Sequence, residues 1–189
     1  MQPWQSKLVR CPLDHAPMLA GEGELRCSRC ERTFPIVDGI PSFMLLDLAT
    51  AHEPEEWLRK QSEMQARDTQ ASQYDRLLGL LFLSPVETRL TLRALQGKSG
   101  RFTVLAEIGC GTGRMLQHLA ALAEFAIGVD FSLQSLRLCR QRMQQAGLLE
   151  KTLLIHADAC FLPLADETLD AIASCQLVEH LPSDRLRLR

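Results

Sequence analysis

The sequence has no apolar stretch approaching the roughly 18 residues a membrane-crossing helix needs, and its opening, MQPWQSKLVRCPLDH, lacks the apolar core of a secretory signal. A cytoplasmic protein with no membrane partner is therefore expected. Charge of one sign is equally scarce. The 21 Lys and Arg against 23 Asp and Glu leave a net charge of -2, which gives nucleic-acid binding no support without excluding it. There is no internal repeat, and no Ser/His/Asp or Cys/His grouping that would make an enzyme nucleophile. An even cysteine count is missing too. Seven cysteines in a reducing compartment read as metal ligands or buried thiols, not as a disulfide framework.

What is present divides into three textures. Residues 1–46 are rich in Cys, Pro and Gly with short β-like runs, the composition of a small knuckle domain that lacks an apolar core of its own and needs a staple. Residues 47–100 carry helical patterns, broken at Ser84-Pro85 and stopped at Gly97-Lys98-Ser99-Gly100, and read as a helical linker leading into the next domain. From 101 to 189 the pattern alternates strand and helix. Strands are expected at 102–108, 125–130, 152–157 and 169–175, all short apolar runs suited to a parallel sheet covered on both faces. Between the first two, Met115, Leu116, Leu119, Leu122 and Ala123 form one helical stripe. In the next helix Ser132 is the expected N-cap and Gly147 the expected C-cap.

The densest signal is Glu107-Ile-Gly109-Cys110-Gly111-Thr-Gly113, where an apolar strand gives way to an amphipathic helix. Glycines there let the backbone turn tightly and approach a ligand. The spacing is GxGxG, not the dinucleotide GxGxxG, and Glu107 two positions before the first glycine suits a cationic amino group and sulfonium better than two phosphates. An ordinary tight turn would also use these glycines. Two carboxylates favour the ligand reading, since Asp130 and Asp158 fall at the ends of the next two strands, the edge where open α/β sheets bind ligands. A carboxylate at Asp130 can accept from ribose hydroxyls, and one at Asp158 can face an adenine amino group.

These segments resemble the class I S-adenosylmethionine-dependent methyltransferases, of the type 11-like group. EIGCGTGR is similar to their first motif, GVDFS to the acidic loop after the second strand, and HADACFLPLADETLDAIASCQLVEHL to the third and fourth strand region. The resemblance spans about residues 72–182. It implies an α/β fold with a Rossmann-like, mostly parallel sheet, S-adenosyl-L-methionine as cofactor, and a methyl acceptor that is a small molecule or RNA. It implies that Glu107, Gly109, Cys110, Gly111 and Gly113 line the methionine end of the cofactor, Asp130 and Phe131 the ribose, and Asp158 with Ala159 the adenine. Cys110 reads as a small residue packing behind that ligand. Tyr74-Asp75 resembles a segment that lies over the cofactor. Glu179 and His180 stand where the acceptor is expected and could form a general base, a structural pair being the favoured reading.

At the N-terminus, Cys11-Pro-Leu-Asp14-His15 and Cys27-Ser-Arg-Cys30 look like the two knuckles of a zinc ribbon. Cys11, Cys27 and Cys30 would bind zinc, with either His15 or Asp14 as fourth ligand; a knuckle without metal is the alternative. The following FPIVDGIP resembles zinc-ribbon domains of Trm112-like methyltransferase activators. A class I sheet has seven strands, so the sequence is expected to represent a truncated methyltransferase whose fourth strand forms an open edge. Two rivals remain: a non-catalytic binding module for a protein or RNA partner, and a nucleotide-dependent oxidoreductase, which the GxGxG spacing opposes.

Overall fold

The computed structural model describes residues 3–45, 54–74, 78–96 and 102–181. It contains two sheets. A short helix, α1 (Pro3–Leu8), precedes an antiparallel sheet of β1 (Met18–Ala20), β2 (Glu24–Cys27), β3 (Thr33–Val37) and β4 (Ile40–Pro41), in sequence order. Two long helices follow, α2 (Pro54–Tyr74) and α3 (Leu78–Gln96). The second sheet is parallel and holds β5 (Phe102–Ile108), β6 (Ala123–Asp130), β7 (Thr152–His156) and β8 (Ala171–Ala173) in the order β7-β6-β5-β8. Helix α4 (Leu116–Leu122) links β5 to β6, and α5 (Leu133–Gln145) links β6 to β7. Among the described residues no helix is long and apolar enough to cross a membrane.

The parallel strands form where continuous apolar runs can be buried on both faces: five successive residues are buried at the end of β5, five in β6 and all of β7. Gly128 in β6 is enforced by packing. A Cβ there would come within 2.5 Å of Leu116 and 2.9 Å of the Cys110 sulfur. Helix α5 begins and ends as its sequence dictates. Ser132 caps it by accepting from the Ser135 N–H, and Gly147 at φ +68° closes a Schellman motif in which the N–H groups of Gly147 and Leu148 donate to the carbonyls of Gln144 and Met143.

Several boundaries differ from expectation. Pro85 lies inside α3 and does not break it, because one missing backbone donor on a solvent-facing helix forfeits a single bond. Strand β6 starts at Ala123, two residues early, because Phe102 of β5 pairs with it there; Ala123 therefore belongs to the sheet, not to the helical stripe. Strand β8 is only three residues long. Among the described residues it pairs with Leu105–Glu107 alone, and Ile172 is half exposed. The opposite edge is covered. Ser42 bridges to His156, the Phe43 N–H donates to the His156 carbonyl at 2.7 Å, and Arg10 and Leu8 pair with Pro163 and Ala165 beyond β7. Through these contacts Phe34, Phe43, Leu25 and Val9 join Ile127, Val129 and Ile155 in one apolar cluster.

Candidate functional site

A pocket opens at the carboxyl end of the parallel strands, where β5, β6 and the turn after β7 deliver their last side chains. Its floor is the turn between β5 and α4. Gly109, Gly111 and Gly113 all have positive φ, but for different ends. At Gly111 (φ +51°) a Cβ would meet nothing within 4 Å, so this glycine leaves open room on the pocket side. At Gly113 (φ +80°) a Cβ would fall 2.4 Å from the Cys139 sulfur. Gly113 thus seats the turn against α5, and it is not among the pocket's lining residues, contrary to expectation. Cys110 contributes to the lining, while its thiol lies in the core beside Cys139 and is raised well above its ordinary value by that contact and by burial.

Glu107 is 3% exposed and lines the pocket. Its Oε2 is, among the described residues, the one buried side-chain oxygen or nitrogen without a hydrogen-bond partner. Burial, then the charge of Asp130, pushes the Glu107 carboxyl well above the usual range. Such an atom calls for a cationic or donor group in the pocket. Asp130, also buried, is better satisfied: Oδ2 accepts the Gly111 N–H at 2.7 Å and Oδ1 the Ser132 N–H at 2.9 Å. Burial still leaves its carboxyl raised. A carboxylate has about four acceptor sites, so two remain for ligand hydroxyls. Asp158 and Ala159 line the pocket just after β7, two strands from Glu107 at the end of β5, and Phe131 lines it after β6. Asp158 accepts the Cys160 N–H at 2.9 Å on Oδ1 and Lys60 at 2.6 Å on Oδ2.

Behind Phe131 stands His156. Its Nε2 donates to the Phe131 carbonyl at 3.1 Å, which leaves Nδ1 to accept from the Ser42 hydroxyl at 2.8 Å. Burial lowers its pKa and keeps it neutral. Ser42, next to the antiparallel sheet, is thereby two hydrogen bonds removed from Phe131 on the pocket wall. Of the expected base candidates, His180 reaches the rim, with Nδ1 3.4 Å from Glu63 and Nε2 3.4 Å from Arg67, whereas Glu179 is exposed and does not line the pocket. Cys175, expected in a strand, lies beyond β8 on the pocket wall, and Cys160 is half-buried near Lys60. The side chain of Tyr74 and all of Asp75 lie outside the described residues.

Sequence reasoning missed one wall. Helix α2 presents Lys60, Glu63, Met64, Arg67 and Ala71 to the pocket, all on one helical face, while its other described side chains are exposed. Asp68 fastens this helix to α5, accepting from the Ser132 hydroxyl and the Gln134 N–H. A polar helix gives no hydrophobic stripe by which to find such a wall.

The cysteine cluster forms in the antiparallel sheet region. One ligand atom from each of Cys11, Asp14, Cys27 and Cys30 lies within 4.8 Å of all the others. Cys11 and Cys30 sulfurs are 3.8 Å apart, and Cys27 sulfur is 3.4 and 3.6 Å from the two Asp14 oxygens. Tetrahedral zinc with Zn–S of ~2.3 Å and Zn–O of ~2.1 Å would put two sulfurs about 3.8 Å apart and a sulfur and an oxygen about 3.6 Å apart, so the donor set fits. Asp14, not His15, joins it; His15 is exposed with φ +55°. Burial pushes the Cys11 thiol up to about 12. At Cys27 burial also opposes the thiolate, but N–H bonds from Arg29 and Cys30 outweigh it and the pKa falls. Asp14 is lowered chiefly by the Ala16 N–H.

Residues 105–188 match the family model of the methyltransferase domain, and residues 6–39 that of the Trm112p-like protein. The second half of this chain has the fold of a class I methyltransferase domain. Methyltransferase GfsG of Streptomyces halstedii is 31% identical over 77 residues, 40% of this chain and 28% of that protein. Phosphatidylethanolamine N-methyltransferase of Cereibacter sphaeroides is 32% identical over 112 residues, 58% and 51% respectively. The chain spans about half, or less, of the length of these curated relatives. Among solved structures, the DhpI–SAM–HEP complex superposes with a TM-score of 0.53 at 22% identity, covering 66% of this chain and 54% of that one. That likeness concerns the fold. This domain holds its pocket at the edge of the sheet where the β5-to-β6 connection runs to one side of β5 and the β7-to-β8 connection returns to the other.

Proposed function

We propose that the chain binds S-adenosyl-L-methionine in the pocket at the carboxyl edge of its parallel sheet and serves methyl transfer to an acceptor amine, hydroxyl or nucleobase. The observation that carries this reading is the unpartnered Oε2 of Glu107, buried against a glycine turn that is open at Gly111. An ammonium group there would donate to it and a nearby sulfonium would be attracted by its charge, whereas a pyrophosphate would offer only acceptors. When bound, this cofactor supplies a methyl group on a positively charged sulfur, transferable by in-line displacement without an enzyme nucleophile. The chain's part is to bind, orient and exclude water. Glu107, with Gly109 and Gly111, holds the amino-acid end, Asp130 and Phe131 the ribose, and Asp158 with Ala159 the base. His180, anchored by Glu63 and Arg67, borders the acceptor side. The four-residue cluster of Cys11, Asp14, Cys27 and Cys30 holds a structural zinc ion. All seven cysteines are unpaired, which supports a cytoplasmic setting.

Calorimetric titration with S-adenosylhomocysteine tests the cofactor assignment. The unmodified chain should bind with micromolar affinity, and Asp130→Ala should weaken binding by about 100-fold, through lost bonds to a charged acceptor and release of the Gly111 turn. Asp130→Asn, which keeps the shape, should fall between. No binding by a folded chain would refute the assignment and favour a module that binds a protein or RNA partner without catalysis.

A further inference from the structure

The wall formed by α2 places one cation where the methyltransferase-domain motifs provide only an anion. Lys60 Nζ lies 2.6 Å from Asp158 Oδ2 and 3.9 Å from the Cys160 sulfur, with both side chains about one-fifth exposed and both lining the pocket. Lys60 is not a surface charge that happened to find a partner. It begins the inward stripe of α2, ahead of Glu63, Met64, Arg67 and Ala71, and Asp68 locks that stripe in place on α5. Asp158 is held in turn by the Cys160 N–H on its other oxygen. The pair therefore presents a fixed acceptor beside a fixed donor in the pocket, with Asp158 two strands from Glu107.

We propose that Lys60 is a base-recognition residue of the cofactor pocket, pairing with Asp158 to read the adenine edge: Asp158 accepts from the exocyclic N6 amino group and Lys60 donates to N1. This rests on the cofactor assignment made above. An ammonium next to a carboxylate matches adenine, whose edge carries a donor at N6 beside an acceptor at N1. It mismatches hypoxanthine, which reverses both: O6 would face Asp158 and N1–H would face Lys60. The pair thus selects adenosyl over inosyl ligands from both sides, and the mismatched ligand leaves charged groups without partners.

The experiment is calorimetric titration of the full chain and of Lys60→Met and Lys60→Arg with two probes, S-adenosylhomocysteine and S-inosylhomocysteine, with circular dichroism to confirm folding. The unmodified chain should prefer the adenosyl probe by more than about tenfold. Lys60→Met should weaken the adenosyl probe by about tenfold while leaving the inosyl probe unchanged or tighter, so that selectivity shrinks. Lys60→Arg, which keeps a donor, should restore part of it. Equal weakening of both probes in Lys60→Met would mean that Lys60 only anchors α2. Unchanged or tighter adenosyl binding would mean that Lys60 merely occupies Asp158. Either overturns the proposal and leaves the cofactor assignment standing, whereas a folded, unmodified chain that binds neither probe overturns both.

Discussion

The two sheets of this molecule are stabilised by different means. In β5, β6 and β7 of the parallel sheet burial is almost residue by residue, and the backbone is fixed by packing on both faces. In the antiparallel sheet the strands are two to five residues long and burial alternates, as in Glu24–Cys27, where only Leu25 and Cys27 are buried. So few apolar residues make a weak independent core. This sheet relies on two supports beyond its own apolar residues: the four ligand atoms, one of them from Cys27 at the end of β2, and the apolar cluster it shares with β6 and β7. Its return contribution is to cover the open edge of β7 with Ser42 and Phe43, and to hold His156 against the Phe131 carbonyl.

The contrast is broken most strongly by attacking the four ligand atoms. Cys27→Ser removes a ligand that both Asp14 and two backbone N–H groups converge upon. The variant should lose a stoichiometric zinc ion by elemental analysis and drop in melting temperature by about 10 °C, corresponding to about 3 kcal/mol. Chelation of the unmodified chain should have the same effect, while the Cys139→Ser exchange should leave the metal content unchanged. Retention of zinc by Cys27→Ser would contradict the assignment of the site.

A smaller effect, of opposite sign, is expected at the floor of the parallel sheet's pocket. The folded chain raises the Glu107 carboxyl above its ordinary 4.5, so the unfolded chain ionises first as pH rises. The stability contributed by protonated Glu107 is present below that value and is lost as pH climbs through the raised folded value. Glu107→Gln should remove this loss and stabilise the ligand-free chain at neutral pH by about 1 kcal/mol in denaturant titrations. The smallest effect should come from the junction. His156 is lowered below 6.5, so the unfolded chain takes up its proton first as pH falls. Stability should therefore be intact above pH 6.5 and decline as pH drops from there towards the lowered folded value. His156→Gln should flatten that decline, and an unaltered pH profile would remove His156 from the link between the sheets.

Legibility from sequence follows the same division. Strand 102–108, the Ser132 cap and the Gly147 stop were readable because each is decided by local chemistry: an apolar run, a hydroxyl before a helix, a residue tolerant of positive φ. The order Glu107, Asp130, Asp158 at successive strand ends was readable because sheet topology brings such positions to one edge. The division of labour among the three glycines was not, since only the folded neighbours show that Gly111 faces open space and Gly113 faces Cys139. Neither was the choice between Asp14 and His15, which adjacent positions in a turn cannot settle without the backbone conformation. Lys60, Glu63 and Arg67 were hidden for a third reason. They sit in a polar helix, where a stripe turned towards a wet pocket has the same composition as a stripe turned towards solvent.

The claim on which the rest depends is that the unpartnered Glu107 oxygen awaits the cationic end of the cofactor. Equilibrium dialysis of the chain against S-[methyl-3H]adenosylmethionine at neutral pH, alongside Glu107→Gln, tests it directly. About one equivalent should be bound by the unmodified chain, with affinity at least about tenfold weaker in a Glu107→Gln protein that is itself more stable. Equal binding by the two proteins, or none by a folded unmodified chain, would contradict it.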